Sequence, residues 1–240
     1  MSQSERTTTD NRMLDALPQS EFARLHRHLE PVSVHRKHIL IRAGEEIESV
    51  YFPVSSVISA VSLMEDGSAL EVAMIGDEGL AGLSALLANK PSHHEMMVQG
   101  NGTGFRVPAG VLQNELNRSA PFREIVANFA KLLLGQITQI AACNRHHNLE
   151  ARCARALLTL QDRLKAALFP LTHEFLAMLL GVQRTGVTAA AHALQRNDLI
   201  RTTHGRIEIV DRAGLEAASC ECHQVIMDAI DGFLRDSAPR

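Results

Sequence analysis

Residues 171–200 read LTHEFLAMLLGVQRTGVTAAAHALQRNDLI, and this stretch decides the fold. Thr172 is a natural N-cap for a helix from His173 to Leu179. Phe175 sits where a full capping box needs Glu or Gln. Counting His173 as position one, Ala177 falls at five, Gly181 at nine and Val187 at fifteen. Further apolar residues fall at four (Leu176), eight (Leu180), ten (Val182) and eighteen (Ala190). Two helices crossing steeply need a small residue where they touch. The sharp turn between them needs a glycine that tolerates positive φ. The remaining apolar positions line the inner faces of both helices. The spacing predicts a helix-turn-helix whose second helix covers about residues 183–195.

That second helix carries Gln183, Arg184, Thr185, Thr188 and Ala189 toward solvent. Arg184 has the fork that pairs with guanine in a major groove, and Gln183 the amide that pairs with adenine. Thr185 and Thr188 are suited to phosphate or to a thymine methyl, and Thr172 joins them as a DNA-facing candidate. The run Ala189-Ala190-Ala191 keeps the helix slim. Downstream, Ile200-Arg201-Thr202-Thr203-His204-Gly205-Arg206-Ile207-Glu208-Ile209 reads as two short strands around a turn, a wing. Arg201, His204 and Arg206 are its candidate phosphate contacts. The alternative is an alanine-rich core hairpin with no DNA role.

Charge agrees with a polyanion partner for one part of the chain only. The 240 residues carry a net charge of −3, yet residues 145–206 hold nine Lys/Arg against four Asp/Glu. Composition excludes several other classes. Apolar content of 45% argues against general disorder. No Trp and a single Tyr argue against a single-strand binder built on stacking platforms. The N-terminus lacks an apolar signal region, and no run approaches 18 consecutive apolar residues, so a cytoplasmic protein without a membrane span is expected. The four cysteines, Cys143, Cys153, Cys220 and Cys222, are too few for a disulfide scaffold. No P-loop, HExxH or nucleophile–base spacing is present, so no enzyme and no catalytic residue is expected.

Upstream, residues 1–11 read as a flexible tail, and 11–29 as a short helical stretch broken at Pro18. From Pro31 to about Pro108, short β-branched runs recur between glycines: 39–41, 50–52, 57–63, 69–75, 95–98 and 104–107. Asp66-Gly67 is a hairpin signal. A helix-like interruption covers 80–88. From Ser119 to Asn144 the period becomes helical, with Pro121 in the first turn. Val126, Ala130, Leu133, Ile137, Ile140 and Asn144 then fall at 4-3-4-3-4 spacing. This narrow seam is read as a dimerisation helix; the alternative is a helix packed on its own domain. His146-His147-Asn148 reads as a joint before another helix from Leu149 to Lys165.

ARCARALLTL at 151–160, LTHEFLAMLLGV at 171–182, the helix opening Gln183-Arg184-Thr185 and GRIEIVDRAGL at 205–215 resemble the Crp/Fnr family of transcription regulators. With the glycine-punctuated β region and long helix, the likeness extends over nearly all the chain after residue 11. The resemblance implies an α+β architecture: an N-terminal β-roll sensor like a cyclic-nucleotide-binding domain, a long dimerisation helix and a C-terminal winged helix-turn-helix. The expected boundaries are 12–118, 119–147 and 148–240. It further implies a homodimer, palindromic double-stranded DNA and RNA polymerase as partners.

Two departures stand out. Family members that bind cyclic nucleotide use a Gly-Glu pair and a later Arg. Here Gly82 is followed by Leu83, and the Arg position falls within His93-His94-Glu95-Met96. Cyclic AMP held by the usual contacts is therefore disfavoured, because a buried phosphate without a cation is costly. The family's Arg-Glu-x-x-x-Arg reading trio retains only Arg184, so the operator should differ. Gly76, Asp77, Glu78, Gly79, Gly82, Leu83 and His94 remain the candidate effector pocket. An iron–sulfur cluster is disfavoured, since no cysteine precedes residue 143. No metal ligand set is assigned. Cys220-x-Cys222-His223 is read mostly as helix surface; a redox, metal or haem sensor using Cys and His is one alternative, and an interaction module without specific DNA reading is another.

Overall fold

The structure, a computed structural model, describes residues 8–88 and 91–237. Two short helices open it, α1 (Arg12–Asp15) and α2 (Gln19–His26). Strands β1 (Glu30–Val34), β2 (Ile39–Ile41), β3 (Ser49–Pro53), β4 (Val57–Leu63) and β5 (Ala69–Ile75) follow. A five-residue helix α3 (Leu83–Leu87) precedes β6 (Glu95–Gly100) and β7 (Gly102–Pro108). These seven strands form two antiparallel sheets, ordered β1-β7-β3 and β2-β6-β4-β5. The β4–β5 hairpin turns where Asp66-Gly67 predicts it: Gly67 has φ +82° and the Asp66 carboxylate accepts from the Ser68 N–H.

Part of the expected tail is fixed. Residues 1–7 lie outside the described residues, but Thr9 and Asn11 are buried. The Asn11 side chain caps α1 and donates to the Pro53 and Gly79 carbonyls at 2.7 and 3.1 Å. A buried amide with its partners satisfied holds the chain start against the roll.

Helix α4 (Ala109–Arg118) leads into the 27-residue α5 (Ala120–His146), capped by Ser119, whose hydroxyl accepts from the Phe122 N–H at 3.2 Å. By length and composition α5 is apolar enough to cross a membrane, contrary to the expectation drawn from unbroken runs; a third of its apolar window is buried in this fold. Phe122, Ile125, Phe129 and Leu132 pack into the roll. The predicted seam is also partly used inside the chain: Val126 and Ile140 are buried there. Ala130, Leu133, Ile137 and Asn144 are half-buried, and the open face, one residue further on, runs through Ala127, Lys131, Leu134, Thr138 and Ala141.

Helix α6 (Leu149–Leu164), capped by Asn148, is buried on nearly every side. One side faces β8 (Leu168–Pro170), α7 (His173–Leu180), α8 (Arg184–Arg196) and the strands β9 (Ile200–Thr203) and β10 (Arg206–Ile209), which share one sheet with β8. The other side faces the outer surface of the four-stranded sheet, where Val57 and Met74 join the same apolar cluster. That side is unusually polar. Arg163 bonds Glu78 at 2.9 Å with both side chains almost completely buried. Beside it, the Glu71 carboxylate accepts from the Ser59 hydroxyl and, at 3.4 Å, from the Gln99 amide. Burial raises the Glu71 carboxyl to about 7, opposed by its hydrogen bonds and by the charges of Arg155 and Arg163.

Helices α9 (Arg212–Ala218) and α10 (Cys222–Ser237) complete the chain. Ile226, Ile230 and Phe233 of α10 enter the apolar core built by the roll and α5, and the Phe129 and Phe233 rings lie 5.9 Å apart. The last helix therefore packs with the N-terminal half.

Candidate nucleic-acid interface

The helix-turn-helix is built as its spacing predicts. Thr172 caps α7 by accepting from the Phe175 N–H at 3.2 Å. Gly181 ends α7 in the left-handed region at φ +61°, and its N–H returns to the Ala177 and Met178 carbonyls. A side chain there would also strike Leu70 of the β4–β5 hairpin. Leu176, Leu180, Val187, Ala191 and Leu194 fill the space between α6, α7 and α8.

The N-terminal end of α8 is open. Gln183, Arg184, Thr185 and Ala189 are exposed, and no side-chain hydrogen bond or ion pair holds the Arg184 guanidinium among the described residues. Thr188 is less free than expected. It is half-buried, its hydroxyl donates to the Arg184 carbonyl at 3.0 Å, and it also meets His173 Nδ1 at 3.1 Å. Of the three alanines, Ala190 and Ala191 are buried against the neighbouring helices, and only Ala189 faces outward. Slimness on the outer face thus rests on one residue.

The wing turn is His204-Gly205, with φ of +48° and +75°, as a two-residue hairpin of the primed type requires. His204 and Arg206 are exposed. Arg201 differs from the expectation, because it is paired with Glu208 at 2.8 Å; both are solvent-accessible, so the pair is weak and a phosphate can compete for it. Thr172, His173, Arg184, His204 and Arg206 border a single cleft of about 390 Å³ between α7, α8 and the wing. A second cleft, about 1050 Å³, separates Asp66–Leu70 of the hairpin from α7 and the start of α8.

The candidate effector residues are differently placed. Asp77 binds Arg12 and Lys165, each at 2.8 Å. Glu78 is paired with Arg163 and accepts from the Gly76 N–H. A side chain at Gly79 would overlap the Phe129 ring. This stretch packs against α5 and α6. Gly82, at φ +108°, opens α3 against Ile41, Ile47 and Val50, while half-buried His94 lies beyond the next turn, its ring held below the usual imidazole pKa by burial and by His93. An apolar wall beside α3 and two already-paired anions do not fit a cyclic phosphate.

Three of the four cysteines gather where no ligand set was expected. Cys143, His147, Cys220 and Cys222 bring their Sγ and ring-nitrogen atoms within 4.8 Å of one another. His223 is not among them; its Nε2 meets Asp162 at 2.7 Å. Cys143 and His147 lie one helical turn apart, a signal present in the sequence, but nothing local connects them to residues 220–222.

Comparison with known proteins places this architecture. Residues 31–119 match the cyclic nucleotide-binding domain, and residues 151–218 match the Crp-like helix-turn-helix domain. The chain belongs to the Crp/Fnr family of transcription regulators. A Crp/Fnr-family regulator from Eubacterium rectale superposes with a TM-score of 0.70 at 18% identity, covering 86% of this chain and 96% of that one. FixK2 of Bradyrhizobium japonicum gives 0.68 at 16% identity, covering 80% and 98%. The c-di-GMP responsive regulator CLP of Xanthomonas campestris gives 0.66 at 16% identity, covering 80% and 99%. These likenesses carry the fold. No curated protein matches the chain in sequence.

Proposed function

We propose that this chain is a cytoplasmic, homodimeric transcription regulator that reads a palindromic operator through α8. The observation that carries the reading is the open end of α8, where Gln183, Arg184 and Thr185 stand beside the exposed wing residues His204 and Arg206. In this arrangement Arg184 and Gln183 contact base edges, while Thr172, Arg206 and His204 meet phosphate. Arg201 contributes after release from Glu208. Residues 12–118 serve as the sensing roll and 119–147 as the dimerising helix and joint. The winged unit runs from 148 to about 220.

The open face of α5 supports pairing with a second copy, because Leu134 is 64% exposed in the middle of a long helix. Two-fold pairing sets the half-sites about 34 Å apart. The signal that acts on the roll is one that dispenses with an arginine–phosphate contact. RNA polymerase is the downstream partner in this reading.

The test is selection of bound duplexes from a random pool, followed by titration of the selected site. Arg184→Ala should weaken that site by about 1–3 kcal/mol and flatten preference at one base pair per half-site. Undiminished specific binding by Arg184→Ala removes Arg184 from the reading; no enriched palindrome at all removes the function.

A further inference from the structure

The four residues left over from the DNA-binding surface have the chemistry of a metal centre. Cys143 lies in the last turn of α5 and His147 is the residue that caps it, while Cys222 opens α10 and Cys220 lies two residues before it. All three cysteines are buried. Cys143 Sγ and Cys220 Sγ are 3.5 Å apart, and Cys222 Sγ is 3.5 Å from His147 Nδ1. A disulfide would need about 2.05 Å between the sulfurs. A tetrahedral zinc with Zn–S bonds of about 2.3 Å sets its sulfurs about 3.8 Å apart. The observed spacing is thus that of donors around one ion, and too tight for a multi-iron core.

The surroundings point the same way. His147 Nε2 faces Glu221 at 3.1 Å. That contact keeps the proton on Nε2 and turns the Nδ1 lone pair toward the sulfurs, the usual arrangement behind a metal-bound histidine. The Gln139 amide donates to Cys222 Sγ at 3.0 Å. Arg152 and Arg155 are buried, each with an Nε atom that has no hydrogen-bond partner among the described residues, and both act electrostatically on the Cys143 sulfur. Three thiolates and a divalent ion leave one net negative charge, which these arginines are placed to balance.

We infer that Cys143, His147, Cys220 and Cys222 form a closed site for a single zinc-class divalent ion, which ties the joint after α5 to the start of α10. Four protein donors leave no open position, so the ion is structural and not a Lewis acid for catalysis. Binding displaces the thiol protons, so affinity rises with pH. The bearing of this clamp on operator affinity rests on the function proposed above, but the site itself does not.

The experiment is titration of the reduced, metal-free full chain with Co²⁺ in the absence of DNA, so that this inference and the DNA-binding reading fail separately. The expected result is saturation at one ion per chain, with the intense visible bands of tetrahedral cobalt, near-ultraviolet thiolate charge transfer, and displacement by Zn²⁺. Cys220→Ser and His147→Ala should lose the charge-transfer pattern of three sulfurs and one nitrogen, whereas Cys153→Ser, outside the cluster, should keep it. Glu221→Gln leaves all four donors in place and should weaken the ion by about 10–100-fold. Weak octahedral bands or no saturation at one equivalent overturn the inference, even if a cysteine variant fails to fold. So do iron with acid-labile sulfide in the isolated protein, or a Cys143–Cys220 disulfide that persists under reduction.

Discussion

Glu71 shows how one buried side chain sets a property of the whole chain. It lies under α6 with Ser59, Gln99, Arg155 and Arg163 around it, and its carboxyl is raised from 4.5 to about 7, chiefly by burial. The folded chain then keeps a proton that the unfolded chain loses between about pH 4.5 and 7, so this residue's contribution to stability falls as pH rises through that window. Glu71→Gln, neutral at every pH, should leave stability nearly unchanged at pH 4.5 and raise it by about 1–3 kcal/mol at pH 8. Urea unfolding at the two pH values measures the difference; equal effects at both would show that charge at Glu71 is not the cause. The exposed residues at the start of α8 were legible at this scale because a helix-turn-helix has fixed inner positions, which leave Gln183, Arg184 and Thr185 outside. The hydroxyl of Thr188 was not, since its bond to the Arg184 carbonyl depends on how the side chain turns.

Among elements, the apolar period of α5 was visible and its neighbour was not. A 4-3 repeat specifies a face; it does not say whether another copy or α10 covers it. The structure divides the answer, with Val126 and Ile140 turned inward and Leu134 left in solvent. Leu134→Glu should therefore leave the chain folded and shift it to monomer in sedimentation equilibrium; a persistent dimer places the contact elsewhere. Strands β2, β4 and β5 match the β-branched runs residue for residue, because alternation and turn glycines are local signals. Strand β1, EPVSV, was not distinguishable, since Pro31 and Ser33 break the apolar run and only pairing with β7 makes it a strand. Helix α4 was missed for a similar reason: Gly110 lowers helix propensity at its start, and Leu112 finds its burial only in the tertiary core.

For the whole molecule, the contact between α6 and the roll is the decisive joint. Arg163→Ala leaves Glu78 buried without its partner and should cost about 3–5 kcal/mol of unfolding free energy. The paired change Arg163→Met with Glu78→Met should recover most of that loss, and chemical denaturation of the three chains distinguishes a true pair from two independent residues. The contact joins sequence positions 85 residues apart, and a guanidinium that normally belongs to solvent gives no local hint that it sits beneath a sheet.

That joint also constrains how the molecule can respond. If the winged unit swings away from the sheet, Arg163, Glu78 and Glu71 must all take up water together, because they occupy one patch. Half-open positions would strand a bare charge between two surfaces that no longer match. Any opening there would have to expose all of that charge at once, and Glu71, whose carboxyl burial raises to about 7, lies in the same patch.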